Sequence, residues 1–334
     1  MMLPDRSFPG ARSGRDAYVD SHPIAHPIAS TSDHPSAPVN PVSSQLGSAN
    51  DGAHLGTTPP PRARRGSADV AAISGRLSER DWAVVQSVAE HQFLTGHQIA
   101  VLHFHQHANI SGPRIARRVL ARLRDMRVLG ALGRRVGGVH AGSSGLIHYV
   151  DVVGDQLLRG RSGRTSRRPR DPSERFLAHR LAIADAHIEL AQAHRTAVLE
   201  VVHSAVEPAS WRRHVGPGGA RVVLKPDLYA ETSIDQDSVY AWFIEIDLST
   251  ESLPTLLRKC RAYEAYRRTG TEQDHSGSFP TVVWVVSHSD AHRAERRREA
   301  LKEAIARDHG LPSKLFHVIS PQQLIPTLQI GGQQ

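Results

Sequence analysis

The sequence has few of the features that mark secreted or membrane proteins. Cys260 is its single cysteine, which excludes a disulfide framework and fits a reducing compartment. No uninterrupted apolar run approaches the roughly 18–20 residues that a transmembrane helix needs. The first 30 residues also lack the apolar segment of a signal peptide. We therefore expect a soluble cytoplasmic protein with no membrane partner.

Apolar residues are also scarce for a chain of this length. They make up 39% of 334 residues, and the length itself favours about two domains. Residues 1–75 are rich in Ser, Pro, Gly, Ala and His and show neither helical nor strand periodicity. Such a segment cannot bury enough apolar surface to offset the entropy of ordering. The composition predicts a disordered tail over residues 1–75.

Positive charge is concentrated in one stretch that contains no lysine. Residues 76–170 hold sixteen arginines and six acidic residues, a net charge of +10, whereas residues 171–334 have a net charge of −2. A concentrated positive field is typical of a module that binds a polyanion. The alternative is an ordinary solvated basic face.

The order of elements in residues 76–160 favours a winged helix-turn-helix. Helical spacing predicts helices beginning near Ser78, near Thr95 and around Pro113, the last ending just before Gly130. Two short β-like runs around a glycine-rich turn then indicate a hairpin, and a short helix follows. Three helices and a hairpin make up the predicted DNA-binding domain.

The third predicted helix has one arginine-rich side. At about 100° per residue, its arginines fall on one arc and its apolar residues on the opposite arc. Guanidinium groups pair with phosphates, or bidentately with guanine in the major groove. The alternative is a merely amphipathic surface helix. The predicted contacts to double-stranded DNA are Arg114, Arg117, Arg118, Arg122 and Arg124 on the helix, with Arg134 and Arg135 near the start of the wing.

The remainder of the chain is predicted to be an α/β domain. Residues 161–172 form a basic linker, and residues 173–330 begin with a long helix. Strands and helices then alternate in the order three strands, helix, strand, helix, strand. The strands are predicted in AVLEVVH, RVVLKPDLYAE, VYAWFIEIDL, TVVWVVS and KLFHVI, and the later helices at about 250–268 and 290–309.

Several segments resemble the replication-relaxation proteins of actinobacterial plasmids and mobile elements. They are FLTGHQIAVLHF and RRVLARLRDMRVL in the first domain, and KPDLYAE, FIEIDLSTESL and KCRAYEAY in the second. The resemblance spans about residues 76–330. It implies a role in the replication or relaxation of plasmid DNA, with replication or conjugation proteins and a second copy of the chain as further candidate partners.

The second domain is also similar to restriction-endonuclease-like nucleases of the PD-(D/E)XK type. In that family, an acid after a proline and an acid on the next strand hold a divalent metal ion, and a lysine helps to activate water. Asp227, which follows a proline, and Glu245 match the two acids. Asp247 lies two residues after Glu245 and so faces the same way. These three carboxylates are the predicted ligands for Mg²⁺ if the domain is an active nuclease.

One departure from the nuclease pattern leaves the site open to two interpretations. Asp247 occupies the position of the family lysine. Lys259 on the following helix, or Lys225, could replace that lysine, and Glu174 or Glu189 on the preceding helix could add a further acid. The alternative is a structural charge network in which Glu245 and Asp247 pair with Arg258, Lys259 or Arg261.

Three functions therefore remain open from the sequence. The leading one is a DNA-binding protein of plasmid or mobile-element replication or transfer. The others are a metal-dependent endonuclease that the winged helix targets, and a transcriptional regulator whose α/β domain serves only for assembly or sensing. Tyr263 and Tyr266 share a helical face and are predicted to pack in the core, because no cluster of histidines accompanies them as in a relaxase.

Overall fold

The computed structural model describes most of the chain beyond residue 66. Its described part belongs to one compact unit. We call residues 67–160 the helical half and residues 172–331 the sheet half. The predicted disordered residues 1–66 lie outside the described part. The described residues are 67–106, 111–133, 146–160, 172–233 and 238–331.

Five helices make up most of the helical half. Side chains at the predicted positions begin two of them: Ser78 forms a capping box with Asp81, and Thr95 forms one with Gln98. Each box satisfies backbone N–H groups that a helix start leaves without partners. The helices are α1 Ser67–Ser74, α2 Glu79–His91, α3 Gly96–His103, α4 Ser111–Asp125 and α5 Val152–Arg159.

Helix α1 lies inside the segment that composition predicts to be disordered. Its residue Ile73 is buried in the same apolar cluster as Val84 and Val88 of α2. Burial against the neighbouring helices stabilises this turn of chain. The ordered region therefore begins earlier than residue 75.

Helix α4 ends at Asp125, four residues before the predicted end. Arg127 adopts a left-handed backbone with φ 59°, and the N–H of Val128 donates to the carbonyl of Leu123 at 3.0 Å. This geometry ends a helix and turns the chain. Gly130 lies instead in a strand, where a Cβ atom would stand 2.2 Å from the ring of Tyr149.

Three short strands complete the helical half. They are β1 Leu94–Thr95, β2 Leu129–Leu132 and β3 Ile147–Val150, and both neighbours pair with β3 in antiparallel fashion. The predicted pairing of β2 with β3 is therefore present. Strand β1 has only two residues, too few for a periodic pattern. Most of the turn between β2 and β3, including Arg134 and Arg135, lies outside the described residues.

The sheet half begins with the long helix α6, Glu174–Arg195, whose N-cap is Ser173. Strands and shorter helices follow. They are β4 Glu200–Val206, β5 Arg212–Val215, β6 Arg221–Leu224, β7 Leu228–Ser233, β8 Val239–Asp247, α7 Leu253–Arg267, α8 Thr271–Ser276, β9 Thr281–Val286, α9 Ala291–Arg307, β10 Phe316–Ile319 and α10 Leu324–Gln329.

The predicted mixed α/β character is confirmed. Five strands form a mixed sheet in the order β10-β9-β8-β7-β4, in which β8, β9 and β10 are parallel and β4 and β7 are antiparallel to their neighbours. The single strand predicted over 221–231 is two strands, β6 and β7, separated at Pro226. Proline cannot donate to a strand ladder, and its carbonyl accepts from the buried Ser210 hydroxyl at 2.6 Å.

Helix α6 packs with both halves of the molecule. Ile183 and Leu190 lie in the core against one face of the five-stranded sheet, while Ala184 and Ile188 lie in the core of the helical half. Helices α7 and α9 cover the other face of the sheet. Among the helices that the structure describes, none has the length and apolar content to cross a bilayer.

Polar side chains also join the two halves. The buried Arg180 of α6 donates to the backbone carbonyl of His91 at 3.0 Å and pairs with Glu207. The ring of His91 hydrogen-bonds that of His187 at 2.9 Å, and His187 bonds the Ser204 hydroxyl at 2.9 Å. The contact between the halves is thus both apolar and hydrogen-bonded.

Candidate functional site

Helix α4 presents arginine to solvent along one side. Ala116, Leu120 and Leu123 are buried in the core of the helical half. On the opposite side Arg114, Arg117 and Arg118 are exposed. Within the described part of the chain, none of these three guanidinium groups has a hydrogen-bond or ion-pair partner. Three charged groups are therefore available to an external anion.

Of the other two helix arginines, Arg122 is committed to the protein itself. Arg122 donates to both carboxylate oxygens of the buried Asp81 at 2.6 and 2.7 Å, and so ties α4 to the start of α2. Arg124 is half-buried, and its charge adds to burial in lowering the pKa of His148 to about 4. The sequence did not distinguish Arg122, which pairs within the protein, from Arg114, Arg117 and Arg118, because the helical period alone places all five arginines on one arc.

A second group of charged residues lies where β7 begins and β8 ends. Leu228 pairs with Ile244 across these antiparallel strands, so Asp227 stands next to Glu245. Side chains alternate along a strand, and both residues face the side of the sheet that α7 and α9 cover. The structure therefore brings the two predicted acids together.

Glu245 is fully buried and is held by two side chains of α7. The Lys259 ammonium and the Tyr263 hydroxyl each donate to one of its carboxylate oxygens. Burial raises the pKa of Glu245 to about 8, although the positive charge of Lys259 opposes that shift. Lys259 and Tyr263 are four residues apart and so share one helical face.

Asp227 is also buried, and its side-chain partner, His179, comes from α6. His179 Nε2 lies 3.2 Å from one carboxylate oxygen, and the N–H of Ile246 donates to the other at 2.8 Å. Burial opposes ionisation of Asp227, yet the bond to His179 and the charge of Lys259 hold its pKa below the usual value. The same bond raises the pKa of His179 against the effect of its own burial.

Asp247 faces the same side of β8 but takes part in a different contact. The guanidinium of Arg297 on α9 holds both of its carboxylate oxygens, with Nη2 at 3.1 Å from Oδ1. The N–H of Ser249 donates to the same Oδ1 at 3.0 Å. Asp247 therefore connects the end of β8 to α9.

An open cleft of about 330 Å³ borders these residues. It lies beside the N-cap of α6 and the segment before α7, and Ser173, Thr250 and Glu251 line it. His179, Asp247 and Lys259 also line it, whereas the buried acids Asp227 and Glu245 do not.

The three predicted metal ligands all contact donors of the protein in this arrangement. Every carboxylate oxygen of Asp227, Glu245 and Asp247 already accepts a hydrogen bond or ion pair from the protein. A Mg²⁺ ion bound through these carboxylates would compete with Lys259, Arg297 and the other donors for the same oxygens. In the part of the chain that the structure describes, no three His, Cys, Asp or Glu residues form a group that could hold a metal ion.

Other predicted members of the site lie elsewhere. Lys225 stacks on the ring of Trp211 at 4.6 Å, and Lys259 is the lysine that contacts Glu245. Neither predicted helix acid reaches the cluster: Glu174 is exposed, and Glu189 is half-buried beside another acid. The helix residue that contacts Asp227 is His179, for which the sequence carried no signal.

The alternative charge network was predicted only in part. Glu245 pairs with Lys259, as that alternative allowed, but the partner of Asp247 is Arg297. Arg258 and Arg261 of α7, the other two predicted partners, make different contacts. Arg258 donates to the Thr255 hydroxyl, and Arg261 donates to Asp308. Tyr263 packs in the core as expected, and it also donates to Glu245.

Comparison with known proteins gives one match. The model of the replication-relaxation family matches residues 85–282, which is more than half of the chain. Neither the comparison with curated proteins nor that with solved structures gave a match. The matched residues include α4 with its arginines, the Asp227–Glu245 pair and Lys259. The chain belongs to the replication-relaxation family.

Proposed function

We propose that this protein binds double-stranded DNA through the exposed arginines of α4, within the replication or relaxation of plasmid or mobile-element DNA. Family membership supports the second part of this proposal. The observation that carries the first part is the set of Arg114, Arg117 and Arg118 on one solvent-facing side of a helix whose other side is buried. Arginines in this arrangement suit the phosphates that border a major groove.

The order of elements supports a winged helix-turn-helix as the scaffold. Helices α2, α3 and α4 precede the antiparallel strands β2 and β3, and the capped start of α3 follows α2 closely. In this class of fold the last helix enters the major groove and the hairpin approaches the flanking backbone. Arg134 and Arg135, which follow β2 in the sequence, are the proposed flanking contacts.

The test compares two triple variants of the full chain on a duplex of random sequence. Arg114→Gln, Arg117→Gln and Arg118→Gln remove the proposed contacts. Arg268→Gln, Arg293→Gln and Arg307→Gln remove the same charge from exposed positions of the sheet half, where each arginine already has an acidic partner. The control separates a loss of contacts from a loss of net charge.

We expect the α4 variant to lower duplex affinity on the order of 100-fold at moderate salt. Each phosphate contact that is lost also reduces the slope of log affinity against log salt by about 0.9, so the slope should fall by nearly three. The control variant should stay close to the wild type. Equal loss in both variants would contradict the assignment to α4.

For the Asp227–Glu245–Lys259 cluster, we propose a structural role that fixes α6 and α7 to the end of β7 and β8. The support is that all carboxylate oxygens there have protein donors. A plasmid-nicking assay with Mg²⁺ or Mn²⁺ tests this against the endonuclease alternative. We expect no metal-dependent nicking. Nicking by the wild type that Asp227→Ala and Glu245→Ala both abolish would establish the endonuclease instead.

A further inference from the structure

Strands β5 and β6 form a two-stranded ribbon that is separate from the five-stranded sheet. They are antiparallel, with Arg213 opposite Val223 and Val215 opposite Arg221. The N–H of Gly216 donates to the carbonyl of Ala220 at 2.7 Å and closes the turn at the tip. We call residues 211–225 the ribbon.

One face of the ribbon is fastened to the body of the protein. Leu224 is buried in the core on the α7 side of the sheet. The Arg212 guanidinium lies 4.3 Å from the centre of the Tyr229 ring and donates to Glu272 at 2.6 Å. Packing of Leu224 and the ion pair of Arg212 hold the base of the ribbon, the end opposite the turn at Gly216. The orientation of the ribbon relative to the five-stranded sheet therefore does not depend on a ligand.

The opposite face of the ribbon is exposed. Side chains alternate along each strand, so Arg213 and Val215 of β5 share this outer face with Arg221 and Val223 of β6. All four are exposed, and Val215 shows 65% of its surface to solvent. The outer face thus combines two guanidinium groups with two aliphatic side chains.

A third cation extends the outer face toward the base. Lys225 lies two residues beyond Val223, is exposed, and stacks over Trp211 at 4.6 Å. Residues 208–226 contain four basic residues and no acid. The rest of the sheet half is acidic on balance, since residues 171–334 have a net charge of −2. A local positive surface in an otherwise acidic region indicates an anionic partner.

We propose that the outer face of the ribbon is a second contact surface for double-stranded DNA, which rests on the DNA binding proposed for α4. Arg213, Arg221 and Lys225 contact phosphates, and Val215 and Val223 lie against sugars and the groove wall. The major groove admits a two-stranded β-ribbon as readily as a helix. A duplex that binds both surfaces is longer than one that α4 alone covers.

Site-specific photo-crosslinking tests the proposal directly on the full chain. A benzophenone amino acid at Val215 should crosslink to a 40-base-pair duplex. The same group at Val239, which is also strongly exposed but begins β8 at the end remote from Asp247, serves as the control. Crosslinking to DNA from position 215 and not from 239 supports the proposal. Crosslinks from position 215 to a second copy of the protein, or none at all, overturn it.

A charge variant of the ribbon provides an independent measurement. Arg213→Gln with Arg221→Gln should reduce the salt slope by about two and weaken binding to the 40-base-pair duplex about 10-fold at moderate salt. Arg268→Gln with Arg307→Gln is the matched control. Both residues of the ribbon pair lie outside the core, so far-ultraviolet circular dichroism should be unchanged in either variant.

The two DNA proposals fail in different ways. If the wild type binds duplex, the α4 variant loses binding and the ribbon variant equals the wild type, then only the ribbon proposal is wrong. If the ribbon variant loses binding and the α4 variant does not, then the assignment to α4 is wrong. A wild type that does not retain duplex contradicts both.

Discussion

The helical half and the sheet half differ in how their charged residues are satisfied. On α4, three exposed arginines have no partner within the described residues. In the sheet half the buried acids Glu245 and Asp247 contact Lys259 and Arg297, and the buried Asp227 contacts the ring of His179. Unpaired charge at a surface costs little in water and remains available to a ligand, whereas buried charge requires a partner. The difference separates a surface suited to an external anion from a network that is complete in itself.

Arg180 offers the strongest test of how the two halves depend on each other. Replacing it with Met leaves the carbonyl of His91 and the carboxylate of Glu207 without their buried donor. Loss of one partner from a buried ion pair costs about 3–5 kcal/mol. We expect that decrease in the free energy of unfolding, measured with urea. Arg268→Met, at the exposed C-cap of α7, should change it by less than about 0.5 kcal/mol.

The urea unfolding of the Arg180→Met variant also tests whether the two halves lose their helical structure together. Two separate transitions would show that the helical half and the sheet half unfold independently once this contact is removed. A single transition with unchanged stability would contradict the role given to this residue.

The histidine pair between the halves predicts an effect of pH. Burial, with a smaller effect of the neighbouring His91, lowers the pKa of His187 to about 4. The carbonyl of Ser87 can only accept, so His91 Nδ1 carries a proton. The bond between His91 Nε2 and His187 Nδ1 needs one nitrogen without a proton, so the two rings are not both charged while this bond is present.

Stability should consequently decline as the pH falls. The unfolded chain binds a proton on a histidine below about pH 6.5, while the folded protein keeps His187 neutral down to about pH 4. The stabilisation is thus complete above pH 6.5 and is lost progressively toward pH 4, by up to about 3 kcal/mol. Urea unfolding at pH 7.5, 6.5 and 5.5 measures it. His187→Gln should reduce the slope of the free energy of unfolding against pH by the equivalent of about one proton. His275→Gln, at an exposed site, should leave that slope unchanged.

The carboxylate cluster predicts a coupling between Glu245 and Lys259. Lys259→Met alone leaves a fully buried acid with Tyr263 as its remaining side-chain donor, and should cost about 2 kcal/mol. Adding Glu245→Gln removes the buried charge and should restore part of that loss. A double-mutant cycle on urea unfolding gives the coupling energy, which we expect to be about 1–3 kcal/mol. Additive effects would mean that the pair is not structural.

Arg122 and Arg117 provide the smallest and most selective comparison, because they lie on the same helix. Arg122→Ala removes the contact of Nη2 with both carboxylate oxygens of Asp81 and should lower the free energy of unfolding by about 1–3 kcal/mol. Arg117→Ala should stay within about 0.5 kcal/mol and should weaken DNA binding instead. The reverse pattern would show that the helix contacts DNA with a different side.

Prediction from the sequence was most successful where one local pattern decides the structure. Ser78 and Thr95 begin helices as expected, and the apolar side of α4 is the buried side. The partners of Glu245 and Asp227 were harder to foresee. Lys259, the partner of Glu245, lies on the next helix along the chain and was a candidate from the sequence. His179, the partner of Asp227, lies 48 residues before it and belongs to no motif. Contacts at such separation depend on how α6 crosses the molecule.

The sequence by itself determined the longer helices and most strands of the sheet, the concentration of arginine before residue 171 and the side of α4 that faces solvent, because charge and periodicity are local properties. Only the tertiary structure decided which arginines have partners and that each carboxylate of the predicted metal site already has one. It also showed that Arg213 and Arg221 share the exposed face of a ribbon. Those outcomes depend on the strand register and on side chains far apart in the chain, and no local pattern specifies either.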